Sequence, residues 1–396
     1  MRGLIWLVAA LGVAQIISWG SLYYAIGVLG PAMRAELGVS ELFLFGSFTA
    51  GLLVCGALAP AAGRAIDRLG GRKVLSIGSI AAALSLVVLA FATGPVVVMI
   101  GWAIAGASMA ATLYDPAFAT LSQHTSTRYR RAVTALTLLG GFASTAFWPL
   151  SHLLLESLGW RNTFLIYAAL HVAVCLPIHA FAIPPRPAVA GGVQSHGEKG
   201  RRSPAFDSPS LAWLNASFAI ANFVVGVVAV HMVGLLTGAG LTAAEAIGIS
   251  VLMGPMQVAG RIVEITFLKR VRATTVGLFA FALLATALAL IAGVSGAGVM
   301  ATLFVVAYGT GNGILTIVRG AAPAEIYGAA GLGELLGHLS RASSYARALG
   351  PAAYSGMLAL GMSERVSMGS LCVMLIAGLS CYAIATRHAP GSIPIH

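Results

Sequence analysis

The chain has 396 residues; 58% are hydrophobic, only 9% are charged, and the mean hydropathy is +0.91. A soluble domain carries about a quarter charged residues, so this composition excludes a water-solvated fold and leaves lipid as the solvent for most of the chain. The net charge of +11 does not point to nucleic acid, because the basic residues are spaced between apolar runs and no nucleic-acid motif accompanies them.

A helix needs about 20 mainly apolar residues to cross a bilayer. Runs of that length predict spans over 4–30, 41–63, 74–93, 96–118, 132–155 and 162–183, then 211–236, 244–264, 275–293, 298–319, 343–360 and 366–386. The runs are continuous and lack the alternation of barrel strands. The first, MRGLIWLVAALGVAQIISWGSLYY, is too long for a secretory signal and no small-residue cleavage site follows it. Residues 184–210, rich in Pro, Gly, Ser and charge, read as a flexible cytoplasmic linker. The expected layout is a six-helix bundle over 1–183, that linker, and a second six-helix bundle over 211–396, an all-α membrane protein. Twenty of the 23 Lys and Arg residues fall on one set of connections, and only Arg34, Arg161 and Arg365 on the other. The positive-inside bias therefore places both termini and the linker in the cytoplasm.

Gly63-Arg64-x-x-Asp67 closes the second span and Gly260-Arg261-x-x-Glu264 closes the eighth. Each precedes a basic turn and another apolar helix, which suggests a duplicated fold with a parallel repeat. The stretch GRAIDRLGGRK resembles the loop motif of the major facilitator superfamily, GxxxDRxGRK, with one extra glycine, Gly71. Together with the twelve-span layout over the whole chain, it identifies the sequence as a member of that superfamily. The resemblance implies two pseudo-symmetric bundles that alternate access to a midplane site, with no cofactor and no enzymatic activity.

A narrower resemblance rests on QIISWGSLYYAIGVLGPAM in helix 1, LYDPAFATL in helix 4, RRAVTALTLLGGFASTAFWPL in helix 5, LGWRNTFLIY in helix 6, GPMQVAGRIVE in helix 8 and YGTGNGILTIVRG in helix 10. These blocks are similar to a bacterial group of facilitators that includes arsenite-efflux permeases, and distantly to monocarboxylate and oxalate/formate carriers. The acidic-Gly-aromatic signature of the monocarboxylate carriers is missing from helix 1, and the Gly-Pro motif of drug/proton antiporters from helix 5. The resemblance implies a proton-coupled secondary transporter of a bacterial inner membrane, acting as a monomer and moving arsenite or another small solute outward. An organic-anion or monocarboxylate uptake or exchange carrier is the alternative. A transport-inactive sensor with the carrier fold is a reading of another class. No Walker A sequence, HExxH, GxSxG or carboxylate pair supports direct ATP drive or catalysis.

Asp67 is expected to accept bonds at the N-terminus of helix 11, where unpaired N–H groups and a positive dipole end attract an anion. Arg341 and Arg347 lie near that end, and Arg68 is within plausible reach of Asp115. With Gly63, Arg72 and the repeat counterpart Glu264, these residues form the expected conformational gate; in the superfamily the motif braces the outward-facing state.

Polar side chains at bilayer depth are costly and often functional. Asp115 is the one acid inside a span rather than at its rim. It reads either as the proton carrier or as a static partner of Arg68 or Arg131. Gln15 and Tyr23 on helix 1, Asn222 on helix 7, Gln257 on helix 8, and Tyr308 and Asn312 on helix 10 are the candidate substrate contacts; helix-to-helix hydrogen bonding is the competing role. The pattern Met253, Gln257, Arg261 and the pattern Tyr308, Asn312, Leu315, Arg319 each share one helix face. Trp148 and His152, four apart on helix 5, suit an anionic or aromatic ligand, or Trp148 belongs to the interfacial belt. His171 and His179 are placed nearer the rims of helix 6, as packed or solvated groups. Cys55, Cys175, Cys372 and Cys381 are spread over separate faces and helices, against a three-thiolate metalloid site.

Overall fold

The computed structural model describes residues 2–125, 128–185, 208–293 and 298–387. Most of the expected linker, 186–207, lies outside the described residues. Within them the chain is helical, because a backbone in lipid must satisfy its own amides. The helices are α1 (Gly3–Leu37), α2 (Glu41–Leu69), α3 (Gly71–Ala90), α4 (Pro95–His124), α5 (129–158) and α6 (160–182). They continue with α7 (Pro209–Gly238), α8 (Ala243–Leu268), α9 (Ala273–Gly293), α10 (Gly298–Tyr327), α11 (Leu332–Ala359) and α12 (Glu364–Arg387).

By length and hydropathy alone, ten helical segments among the described residues qualify as spans. Two physical features account for the difference from twelve. The segment Tyr129–Ala182 has 54 residues, about 80 Å at 1.5 Å per residue, far more than one crossing needs. It folds back at Gly159, whose φ of 77° and ψ of 165° lie in a region nearly reserved for glycine. The second feature is α11, whose Ser340, Arg341, Ser343, Ser344 and Arg347 make it too polar to register as a span.

Helix starts carry their own chemistry. The Ser40 hydroxyl accepts from the Phe43 N–H at the head of α2, and Thr242 and Glu245 form a reciprocal capping box at the head of α8. The α2–α3 turn uses both glycines of its motif. Gly70 has φ 84° and ψ 152°, and the additional Gly71 packs where a Cβ would run into Thr120. Gln123 clamps this turn, donating to the Ile66 carbonyl at 2.8 Å and accepting from the Gly71 N–H at 3.3 Å.

The packing repeats by halves. Within the first half α2 packs on α4, α3 on α4 and α6, and α1 on α5 and α6; in the second, α8 packs on α10, α9 on α10 and α12, and α7 on α11 and α12. The halves meet through α2 against α11 and α5 against α8, and through α4 against α11 and α5 against α10. Each of these pairings has a counterpart, which is the pseudo-twofold relation of two six-helix bundles.

Candidate functional site

The site begins with a broken helix. Pro116 has no N–H to give the carbonyl of Thr112, four residues earlier, and α4 opens at Leu113, whose ψ is −161°. Gln15 of α1 closes the gap. Its Nε2 donates to the Thr112 carbonyl at 2.6 Å and lies 3.4 Å from that of Leu113. Gln15 is fully buried and serves as a brace behind the site. The break turns Tyr114 and Asp115 toward the space between the halves, where irregular backbone is tolerated because it lines a cavity.

That cavity holds about 700 Å³ of unfilled space, its mouth included. Trp19, Tyr23, Tyr114 and Asp115 contribute from α1 and α4, and Asn222, Arg319, Ser343 and Arg347 from α7, α10 and α11. Asp115 and Arg319 form an ion pair across the two halves, and Arg319 Nη2 also lies 3.3 Å from the Ser340 hydroxyl. Arg347 Nη2 donates to Asn222 Oδ1 at 2.6 Å. Asn222 is itself oriented by donating Nδ2 to the Phe218 carbonyl at 2.8 Å. The partner that Arg347 holds is thus an amide and not a carboxylate. The Trp19 indole nitrogen, Ser343 Oγ, Asp115 Oδ1 and Arg319 Nε are buried without a protein partner. Buried polar groups are ordinarily paired with protein or ordered water, and these four are left to pair with water or a ligand.

At the end of the bundle that carries both chain termini, the halves are latched. The backbone N–H groups of Gly333 and Glu334 donate to Asp67 Oδ1 and Oδ2 at 3.1 and 2.8 Å. Gly63 and Gly333 allow this approach, since a Cβ on Gly333 would stand 2.6 Å from the Gly63 carbonyl. Arg64 reaches Glu334 at 3.4 Å. The second latch is the repeat counterpart. Glu264, 2% exposed, pairs with Arg130 at 2.7 Å and accepts from Thr134 Oγ1 at 2.9 Å. Arg130 also donates to the carbonyls of Leu268 and Val271 at the end of α8.

The other residues singled out in the sequence fall elsewhere. Asp115 takes Arg319 as its partner, not Arg68 or Arg131. Arg347 lies mid-depth in the cavity instead of at the gate, because α11 begins at Leu332, about three turns before the expected residue 343. Arg68 and Arg341 are exposed and Arg72 sits at the head of α3. Trp148 lies outside the cavity lining, 54% exposed and edge-on to Tyr24 at 6.3 Å. His152 is further out, its side chain 65% exposed and 3.3 Å from Glu156. Gln257 packs its backbone carbonyl on Gly313, the Asn312 carbonyl accepts from Thr316, and Tyr308 is buried behind the cavity with its hydroxyl unpartnered. His171 and His179 are fully buried within the first half, bonded to Ser21 at 2.9 Å and Ser79 at 2.7 Å. Trp19, Tyr114 and Ser343 are cavity residues that the sequence did not single out. Their signal was present, since Trp19 lies one helical turn from Tyr23 and Tyr114 precedes Asp115. Arg261 is 4% exposed, and its guanidinium fits against Gly141, where a Cβ would displace it.

A two-bundle membrane protein with a polar cavity between its halves is a carrier in architecture. Residues 11–351 match the Major Facilitator Superfamily family model, and the chain belongs to that superfamily; it is a multi-pass membrane transporter. It is 30% identical over 189 residues to monocarboxylate transporter 11 of Homo sapiens, covering 46% of this chain and 40% of the relative, so the chain spans well under half the length of that protein. Among solved structures, the human organic anion transporter MFSD10 superposes with a TM-score of 0.70 at 16% identity, covering 96% of this chain and 99% of its own. The proton:xylose symporter XylE does so with a TM-score of 0.78 at 14% identity, covering 98% and 96%. At these identities the likeness is one of fold.

Proposed function

We propose that the chain is a secondary transporter of a small organic anion, working by alternating access with Asp115 as the proton-linked group. The observation that carries this reading is Arg347, a permanently charged guanidinium held on Asn222 at cavity depth. A charge there is costly unless it serves a ligand or a pathway. The resemblance to a monocarboxylate transporter points the same way. Arsenite, the other candidate solute, is neutral and gains nothing from this charge.

Asp115 and an incoming carboxylate compete for Arg319. Protonation of Asp115 at its carboxylate oxygen removes the charge that holds Arg319 and leaves the guanidinium for the substrate. Both latches lie at the end bearing the termini. With that end cytoplasmic, the orientation the positive-inside bias favours, the state is closed inward and open outward, and release of Asp67 and Glu264 accompanies the swing.

The test is uptake of labelled lactate, benzoate and arsenite into proteoliposomes, with a pH-sensitive dye inside. Carboxylate uptake with proton movement is expected. Arg347→Gln should lower it at least about tenfold, the scale of losing a charge-assisted contact. Asp115→Asn should uncouple protons from the solute. Transport of arsenite with no carboxylate moved would overturn the reading.

A further inference from the structure

We propose that the cavity selects carboxylates bearing a flat aromatic ring over short aliphatic acids, with the ring seated on the α1–α4 wall and the carboxylate on Arg347. This rests on the anion reading above and adds the body of the substrate to its head group. The wall is aromatic and continuous. Trp19 meets Tyr23 at 5.1 Å and 66°, and Tyr114 at 5.2 Å and 44°. Tyr23 goes on to Phe48 at 5.4 Å and 70°. Trp19, Tyr23 and Tyr114 all line the cavity. These are edge and tilted contacts, the geometries by which rings associate, so a further ring can extend the array.

Opposite stand Asn222, Arg347 and Ser343, the last with an unpartnered buried hydroxyl. The Trp19 N–H is likewise buried without a partner. A carboxylated ring satisfies both faces, presenting oxygens to the guanidinium and hydroxyl and carbon to the rings. Acetate or an inorganic anion would engage the charge and leave the wall uncovered. Outside the lining, Tyr24 and the exposed Trp148 stand edge to face at 6.3 Å.

The lining charges fix the sign of the ligand. With Asp115 ionised, Arg319 and Asp115 cancel and Arg347 remains. Asp115 protonation frees a second guanidinium, and the buried Arg261 adds to the same sign, so the cavity prefers an anion to a neutral or cationic aromatic.

Isothermal titration of the full chain in lipid nanodiscs, with benzoate, acetate and benzamide, separates the possibilities. Benzoate should bind at least about tenfold more tightly than acetate, as expected for one well-packed ring, and benzamide should bind more weakly than benzoate. Trp19→Leu should bring benzoate close to acetate while acetate changes less than about twofold. Tyr23→Leu is the second variant, should the first not fold, with the same expectation. Arg347→Gln should weaken both acids. Equal binding of benzoate and acetate, or equal weakening of both by Trp19→Leu and Tyr23→Leu, overturns the aromatic inference and leaves the anion reading standing. Benzamide binding as well as benzoate overturns the anion reading and this inference with it.

Discussion

Pro116 withholds an N–H from the Thr112 carbonyl, and Gln15 supplies one from another helix. A buried carbonyl left unpaired costs about 1–3 kcal/mol, so Gln15→Leu should lower the thermal midpoint of the detergent-solubilised protein, read by fluorescence-detected size exclusion. Asn215→Leu on α7, also polar but without this duty, is the control. Equal melting of Gln15→Leu and wild type would show that the break in α4 stands without its brace. The sequence made Gln15 visible as a mid-depth polar residue but not which way it faced. Glutamine serves equally as ligand contact and helix brace, and only its proximity to the proline-freed carbonyl separates the two. Arg347 posed the reverse difficulty. Its chemistry was plain, but its depth depended on where α11 begins.

Helices were legible where one solvent decided their composition. Apolar runs located eleven of the twelve spans to within a few residues at most ends, because lipid selects the whole circumference of a helix. The start of α11 was hidden, because its first three turns carry Glu334, His338 and Arg341, and a helix with a polar stripe facing the other half reads as a loop. The fold-back between α5 and α6 was legible through LGWRN, though not its geometry. At Gly159, φ 77° and ψ 165° cost a residue with a Cβ about 1–3 kcal/mol, while open space surrounds the position. Gly159→Ala should therefore destabilise through backbone strain alone, lowering the melting midpoint while substrate KM stays near wild type. A raised KM without a lowered midpoint would assign Gly159 to the transport cycle instead.

Across the whole molecule the two latches are related by the internal repeat and opposite in polarity. Asp67 binds the amide-rich start of α11, while Arg130 binds the carbonyl-rich end of α8 and Glu264 with it. Each places charge against the helix end of opposite sign. The GRxxD/E repeat pointed to both acids, while Arg130 stood in the sequence only as the first residue of the block RRAVTALTLLGGFASTAFWPL, with nothing in the motif to pair it with Glu264. Asp67→Asn and Glu264→Gln should each raise accessibility from the latched end, scored by maleimide labelling of single cysteines placed along the halves of α5 and α10 nearest the latches. The double variant should exceed either alone. Labelling unchanged in the double variant would separate the latches from the swing between states.

The guanidinium of Arg347, held on an amide and not a carboxylate, also ties the carrier to voltage. With Asp115 ionised, the lining charges of the empty cavity sum to one positive charge; a monovalent anion that enters with a proton on Asp115 leaves that sum unchanged, whereas an anion entering alone brings it to zero. A transmembrane potential is worth about 2.3 kcal/mol per charge per 100 mV, scaled by the fraction of the field that charge crosses. Polarisation therefore presses equally on the vacant form and the proton-loaded one, and only an anion carried without its proton would leave the loaded stroke untouched in an energised cell.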